Sequence, residues 1–298
     1  MKYLVLGGGI SPEKEVSTRS AAAVSHALIE LGHQVVRLDP SDVSLDEIIR
    51  QAKEADGVFP ILHGISGEDG AIQARLEQEG IAYFGPSAAS CNTTFDKADF
   101  KRILEQHSIP TPKWNVITAD QLHDEPLTRK PFVLKPISGG SSIDTFIVRS
   151  IPFDTTPLLE ALSRYDSMLI EEFVSGTEIT VGILEDEALP VIEIIPPQDQ
   201  EFDYENKYNG ATQELCPPKN VSPDLQEKAQ ALALKTHQVT QCRHLSRTDM
   251  LINEKGELYV IDTNTIPGLT NQSLYPKAAA TAGYNWPTLV ARFASLVQ

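Results

Sequence analysis

The residues best placed to do chemistry lie near the C-terminus, where two short apolar runs, Arg247 to Ile252 and Glu257 to Asp262, flank Asn253-Glu-Lys-Gly256. This pattern predicts a β-hairpin. With a two- or four-residue connection centred between Lys255 and Gly256, Asp249 faces Asp262, and Asn264 shares that face. Two carboxylates and an amide oxygen make an all-oxygen set that suits magnesium better than zinc or copper. Like charges directly opposed are destabilising unless a cation intervenes. A three-residue loop with a bulge would slip the register by one and separate the set. Solvent-facing strand carboxylates without a ligand are the competing reading.

A second group could handle phosphate. Lys135 closes the apolar run Pro131-Phe-Val-Leu-Lys135 and is followed by Ser138-Gly-Gly-Ser-Ser142, whose glycines let backbone N–H groups approach an anion. A flexible surface hairpin would read the same way, and no Walker A spacing is present. Gly7-Gly-Gly9 invites a dinucleotide reading, but Pro12 stands where GxGxxG requires its last glycine. Beyond it, Glu13 and Glu15 open a helix, where the dipole stabilises a carboxylate that either meets a substrate ammonium or simply caps. His63-Gly-Ile-Ser-Gly-Glu-Asp-Gly70 follows a third strand at its carboxyl end, where open parallel sheets place their ligands.

Apolar runs at Lys2 to Leu6, Gln34 to Leu38 and Gly57 to Leu62 alternate with helical patterns through Val24, Leu28 and Leu31 and through Leu45, Ile48, Ile49 and Ala52. Such alternation predicts an α/β unit with a parallel sheet. After Gly85-Pro86 the rhythm changes, which places a domain boundary near residue 90. A helix is expected over Lys97 to Gln106. Strands are expected at 131–135, 145–148, 168–173, 179–184 and 188–195, and a long loop, read as a lid, over 197–218. Ser222-Pro223-Asp224 is an N-cap with proline at the first helical position.

The 298 residues carry a formal charge of −16, which argues against nucleic-acid or anionic-membrane partners, since both need a positive surface field. Cys91, Cys216 and Cys242 form no CxxC pair, so no disulfide framework or zinc site is indicated. The first apolar run is too short for a signal peptide, and no stretch reaches transmembrane length. A cytosolic protein is expected.

In sequence order, Gly7-Gly-Gly-Ile-Ser-Pro-Glu-Lys-Glu-Val-Ser17, Leu62 to Gly70, Asp96-Lys97, Val133-Leu-Lys-Pro136 with Gly140-Ser-Ser142, Leu169 to Glu178, Phe202 to Tyr208, Arg247-Thr-Asp249 and Asp262 to Thr270 resemble the signatures of the D-alanine–D-alanine ligase family, a branch of the ATP-grasp proteins. The likeness covers nearly the whole chain. It implies an α/β (α+β) architecture with an N-terminal α/β domain over 1–90 and two ATP-grasp subdomains over 91–178 and 179–298. It implies ATP-dependent ligation of two D-alanines through an acyl phosphate, supplying peptidoglycan precursors, by a cytosolic homodimer. It further implies that Lys97, Lys135 and Lys207 contact ATP phosphates, that the Glu171, Glu172 and Val174 segment binds adenine, and that Glu178 holds the ribose. Asp249, Asp262 and Asn264 would hold two magnesium ions, with manganese as a substitute.

For the amino acids, the resemblance assigns Glu13 to the ammonium of the first D-alanine, with His63 nearby, and places Ser273 and Leu274 beside the second. Ser141 and Tyr208 would join Glu13 in a hydrogen-bonded network, and Arg247 with the Gly268 N–H would steady the oxyanion. The sequence departs from the family pattern in several places. Asp262 stands where glutamate is usual, Gly139 where an acidic residue is common, Ile143-Asp144 where Val-Gly is common, and Arg243 to Ser246 where a Gly-Trp type is expected. Lys207-Tyr208 resembles the dipeptide-forming version rather than the ester-forming one that uses D-lactate. A nucleotide-binding protein without ligase activity is the rival from another class.

Overall fold

Local sequence starts the elements and long-range packing finishes them in the computed structural model, which describes residues 1–197 and 212–297. Strands β1 (Lys2–Leu6), β2 (Gln34–Leu38) and β3 (Gly57–Pro60) form a parallel sheet in the order β2-β1-β3. Helices α1 (Lys14–Glu30) and α2 (Leu45–Lys53) make the crossovers. The start of α2 is written locally: Ser44 accepts from the Glu47 N–H, acidic residues fill the first turn and Arg50 and Lys53 the last. Helices α3 (Ala71–Gln78), α4 (Ala88–Phe95) and α5 (Lys97–Gln106) follow. Asp96 caps α5 by accepting from the Asp99 N–H, which makes Lys97 the first residue of that helix.

The middle of the chain builds an antiparallel sheet from β4 (Trp114–Ile117), β5 (Phe132–Pro136), β6 (Phe146–Val148) and β7 (Met168–Glu172), in the order β4-β7-β5-β6. Helix α6 (Thr156–Tyr165) buries Leu158, Ala161 and Leu162 against it. A third sheet contains β8 (Gly176–Leu184), β9 (Glu187–Ala188), β10 (Ile192–Ile195), β11 (Gln213–Leu215), β12 (Leu245–Asn253) and β13 (Leu258–Asn264). Its order is β11-β10-β8-β12-β13, and β9 pairs with β8. The expectation of an unbroken loop over 197–218 is corrected by β11, which pairs with β10 from Ile195↔Gln213 to Glu193↔Leu215. Residues 198–211, with Lys207 and Tyr208, lie outside the described residues.

The helix Pro223–Val239 begins as expected, with the Ser222 hydroxyl accepting from the Leu225 N–H. The final helix, Trp286–Leu296, returns to the first sheet. Its Phe293 packs 4.5 Å from the Phe84 ring, and Val297 fills the space that a side chain on Gly57 would need. The two ends of the chain therefore share one core with β1 and α1. No helix among the described residues is long and apolar enough to cross a membrane.

Two histidines in this framework are held neutral. Burial pushes His237 and His244 down to about 4. Gly85 donates its N–H to His244 Nδ1 at 3.0 Å, which requires that nitrogen to be unprotonated, while His237 Nδ1 pairs with the Ser246 hydroxyl at 2.7 Å. Between pH 6.5 and 4 the unfolded chain binds protons that the folded chain refuses, so stability is full above 6.5 and is lost as pH falls toward 4. For His237, 3% exposed, the loss amounts to about 3 kcal/mol by pH 4. Melting temperatures taken from pH 7.5 to 4.5 are expected to fall less steeply in a His237→Gln, His244→Gln double variant than in the parent. Parallel curves would show that these histidines carry no proton linkage.

Candidate functional site

Strand alternation puts Arg247, Asp249 and Leu251 of β12 on the face away from buried Ser246, Thr248 and Met250. Asp249 stands opposite Asp262 and Arg247 opposite Asn264, as the spacing predicts. The turn that achieves this differs from the expected one. Ile252 pairs with Leu258, which centres the connection on Lys255, and Asn253 Oδ1 accepts from the Lys255 and Glu257 N–H groups while Gly256 takes φ +76°. A bulge then intervenes, because Asp249 pairs with Asp262 and Met250 with Val260. The extra residue, Ile261, restores the opposition that the turn alone would have slipped by one.

Asp249 is surrounded by donors. Arg247 grips both its oxygens, through Nε to Oδ1 and an NH2 group to Oδ2, each at 2.9 Å. Thr180 donates to Oδ1 at 2.5 Å and the Asn264 amide to Oδ2 at 3.1 Å. Asp262 takes none of these donors; its Oδ1 accepts from the neighbouring Thr263 N–H at 2.9 Å. The two carboxylates and the Asn264 oxygen fit a hard divalent cation, and the guanidinium supplies positive charge beside them. Burial works against the Arg247 charge, but the Asp249 and Asp262 carboxylates outweigh it and hold the guanidinium firmly protonated.

Lys135 and Lys97 line the same cleft. Lys135, next to last in β5, pairs with Glu171 of β7, while Lys97 donates to the Gly139 carbonyl of the glycine-serine loop. That loop is held at both edges. The Lys97 N–H donates to Ile137 O at 2.9 Å, and Asp144 accepts from Arg164 at 2.8 Å and from the Tyr165 hydroxyl at 2.6 Å. Asp144 takes φ +52°, a conformation in which the glycine common at this position would be relaxed. The two contacts from α6 tie down the residue that replaces it. Glu172 pairs with Lys130, and Val174 and Glu178 line the cleft.

The opening loop supplies the third side. Ser17 bridges the first strand's end to the third, accepting from the Gly8 N–H at 2.8 Å and donating to Ile61 O at 2.6 Å. Gly8 makes room for Asp39, which accepts from the Gly9 N–H at 2.8 Å, so this glycine run serves an internal carboxylate. Glu13 accepts from the Ser141 hydroxyl across 128 residues of sequence, joining the opening loop to the glycine-serine loop. Glu15 is exposed on α1 and lines no part of the cleft. Ser11 donates to His63 O at 2.6 Å. The His63 ring is buried, which pushes its pKa down, and its Nε2 has no hydrogen-bond partner among the described residues.

Glu68, within the same loop, was not singled out by spacing. It accepts from the Gly64 N–H at 2.8 Å and the Ile266 N–H at 3.5 Å. Burial, and then the charge of Glu13, pushes its carboxyl up to about 8. Lys101 was also missed, although Lys97, Phe100, Lys101 and Leu104 form one helical stripe. A lysine within a buried stripe is the signal that could have found it. Ser273 begins the helix Leu274–Thr281, where its hydroxyl lies 2.8 Å from Thr270 Oγ1 and close against Gly268. Leu274 is packed into the main core. Gly268, Ser273, Leu274 and His63 are not part of the lining of the central cleft.

The cleft has a volume of about 740 Å³, in the range of small-molecule sites. Glu13, Lys97, Lys135, Arg247, Asp249 and Asp262 all line it. A family model described as "D-ala D-ala ligase C-terminus" matches residues 103–295. The chain is 39% identical to a D-alanine–D-alanine ligase of Maridesulfovibrio salexigens, with 100% of this chain and 99% of the relative covered. It is 37% identical to one of Francisella tularensis subsp. tularensis, again over 100% and 99%. Among solved structures, the D-alanine–D-alanine ligase of Bacillus anthracis superposes with a TM-score of 0.84 at 32% identity, covering 100% of this chain and 97% of that one. The same enzyme complexed with ATP gives 0.83 at 29% identity over the same shares.

Proposed function

We propose that this chain, which belongs to the D-alanine–D-alanine ligase family, uses ATP to join two D-alanine molecules for peptidoglycan precursor synthesis. One observation carries the reading: a single cleft is lined by two lysines with a glycine-serine loop, by the carboxylate and amide set of the hairpin, and by Glu13 and Arg247. Nucleotide binding alone would leave Glu13 and Arg247 without a task. The reading includes a homodimer in the cytosol.

A carboxylate is a poor electrophile, so the γ-phosphoryl group of ATP first passes to the carboxylate of one D-alanine, giving an acyl phosphate and ADP. Lys97 and Lys135 would hold the phosphates while charge redistributes. Magnesium, or manganese in its place, would be held by Asp249, Asp262 and Asn264 and would neutralise charge on the phosphoryl oxygens. Glu13 would hold the ammonium of the first D-alanine, with Ser141 fixing the carboxylate. The free amine of the second D-alanine then attacks the acyl carbon. Arg247 and the Gly268 N–H would stabilise the oxyanion until phosphate leaves with the carbonyl re-formed and the amine proton lost. Excluding water matters because an acyl phosphate hydrolyses.

Incubation with ATP, magnesium and D-alanine is expected to release one phosphate for each D-alanyl-D-alanine formed, followed by coupled ADP detection and mass spectrometry of the product. ATP binding without product across a panel of D-amino acids and D-lactate would sink the ligase reading. An ester product from D-lactate in preference to the dipeptide would move the second substrate.

A further inference from the structure

Beneath the nucleotide cleft, two lysines meet one carboxylate, with a third lysine nearby. Helix α5 carries Lys97 and Lys101 one turn apart, β5 brings Lys135, and β7 brings Glu171. Lys135 pairs with Glu171 Oε1, and Lys101 lies 2.5 Å from Oε2. Lys101 is 1% exposed and does not line the cleft, whereas Lys97, Lys135 and Glu171 do. Its ammonium also donates to Thr111 Oγ1 at 2.6 Å, and that hydroxyl donates to Val260 O at 2.8 Å, two residues from Asp262. An apolar side chain would fill this position at a smaller desolvation cost.

Glu171 is an anion in the folded protein. Burial alone would raise its pKa, but the charges of Lys101 and Lys135 outweigh burial and hold it near 2. Burial likewise lowers the pKa of Lys101 against the attraction of Glu171. With Lys135 alone, the Glu171 pair would be neutral. With Lys101 added the trio is positive, and Lys97 adds to that field in a dry site where charge is weakly screened.

We propose that Lys101 is a positioning residue for nucleotide binding: by countering the Glu171 carboxylate from below, it lets the Lys135 ammonium, which rests on the other oxygen of that carboxylate, also hold an ATP phosphate. The inference rests on the reading that ATP occupies this cleft. It differs from a packing role because its effect is confined to the phosphates and passes through Lys135.

Calorimetric titration with magnesium-ATP and with adenosine separates the two. Lys101→Met is expected to weaken ATP binding on the order of tenfold or more, the effect of one charged contact, while adenosine affinity stays within about twofold. In a Lys135→Met background the added Lys101→Met change is expected to cost less than it does in the parent, because the Lys135 contact through which most of it acts is already gone. Lys101→Gln, which keeps a donor for Thr111, carries the same measurements where the methionine variant does not fold. Equal losses for ATP and adenosine, additive losses in the double variant, or failure of both Lys101 variants to fold would make the role architectural and overturn the inference. If the parent protein binds no ATP, the functional reading itself fails. If the parent binds ATP and Lys101→Met binds it equally well, only the role of Lys101 fails.

Discussion

Arg247→Met is expected to lower turnover about 10²- to 10³-fold, the loss that follows removal of an oxyanion donor. It is also expected to increase magnesium affinity in the absence of nucleotide. Both effects follow from one geometry. The guanidinium occupies both oxygens of Asp249 at 2.9 Å and is only 14% exposed, as is its partner. In the resting protein it is therefore the counter-charge for the carboxylates on this face of the hairpin. Deleting it removes that charge, and the Thr180 hydroxyl and the Asn264 amide, which also bond Asp249, do not replace it. A buried ion pair broken on one side typically costs about 3 to 5 kcal/mol, and a divalent cation entering the vacated position would recover part of that. Steady-state kinetics reads the first effect, and the rise in melting temperature on adding magnesium reads the second. Turnover within about threefold of the parent would remove Arg247 from the reaction. An unchanged magnesium response would mean that the guanidinium and the cation occupy separate places.

Strand alternation made it legible that Asp249 and Asp262 share one face, but their direct opposition was reached through an assumed even-length connection; the real one is centred on Lys255 and would have slipped the pair by one. The bulge at Ile261, which restores the opposition, was not legible. Val260 donates its N–H to Pro110 O at 2.8 Å and accepts from Thr111, so a segment some 150 positions earlier fixes the register of β13 at the point where it shifts. Likewise, nothing local in Gln213-Glu-Leu215 distinguishes a strand from a loop; its partner β10 supplies the difference. Helix α6 was legible but overlooked, since Leu158, Ala161 and Leu162 recur at helical spacing behind a proline at its start. Lys101 and Glu68 failed for another reason. Charged residues are read as surface by default, and only the fold shows that Glu171 and the Gly64 and Ile266 N–H groups compensate them inside.

Glu13→Gln is expected to raise KM for D-alanine about 10- to 100-fold while ATP affinity stays near that of the parent, because a hydrogen bond between charged groups contributes about 1.5 to 3 kcal/mol. Glutamine keeps the size of the side chain and an oxygen for the Ser141 hydroxyl, so the join between the two loops survives and only the charge is lost. The space around Glu13 is formed by glycines: a side chain at Gly64 or Gly140 would come within 3.2 Å of its Oε2. Neither glycine carries a side chain that would keep a cationic group of the substrate from the carboxylate. Glu13→Asp, with the charge kept and withdrawn by one methylene, is expected to fall between the two. A rise in the ATP dissociation constant without a change in KM for D-alanine would reassign Glu13 to the nucleotide side of the cleft. The variant has a second consequence that needs no turnover. Glu13 is the cause, after burial, that holds the Glu68 carboxyl up near 8, so neutralising it should lower the Glu68 pKa. Carbon-13 NMR of the glutamate carboxyls in the metal-free protein would follow that change, and an unmoved Glu68 would show that burial alone keeps it protonated.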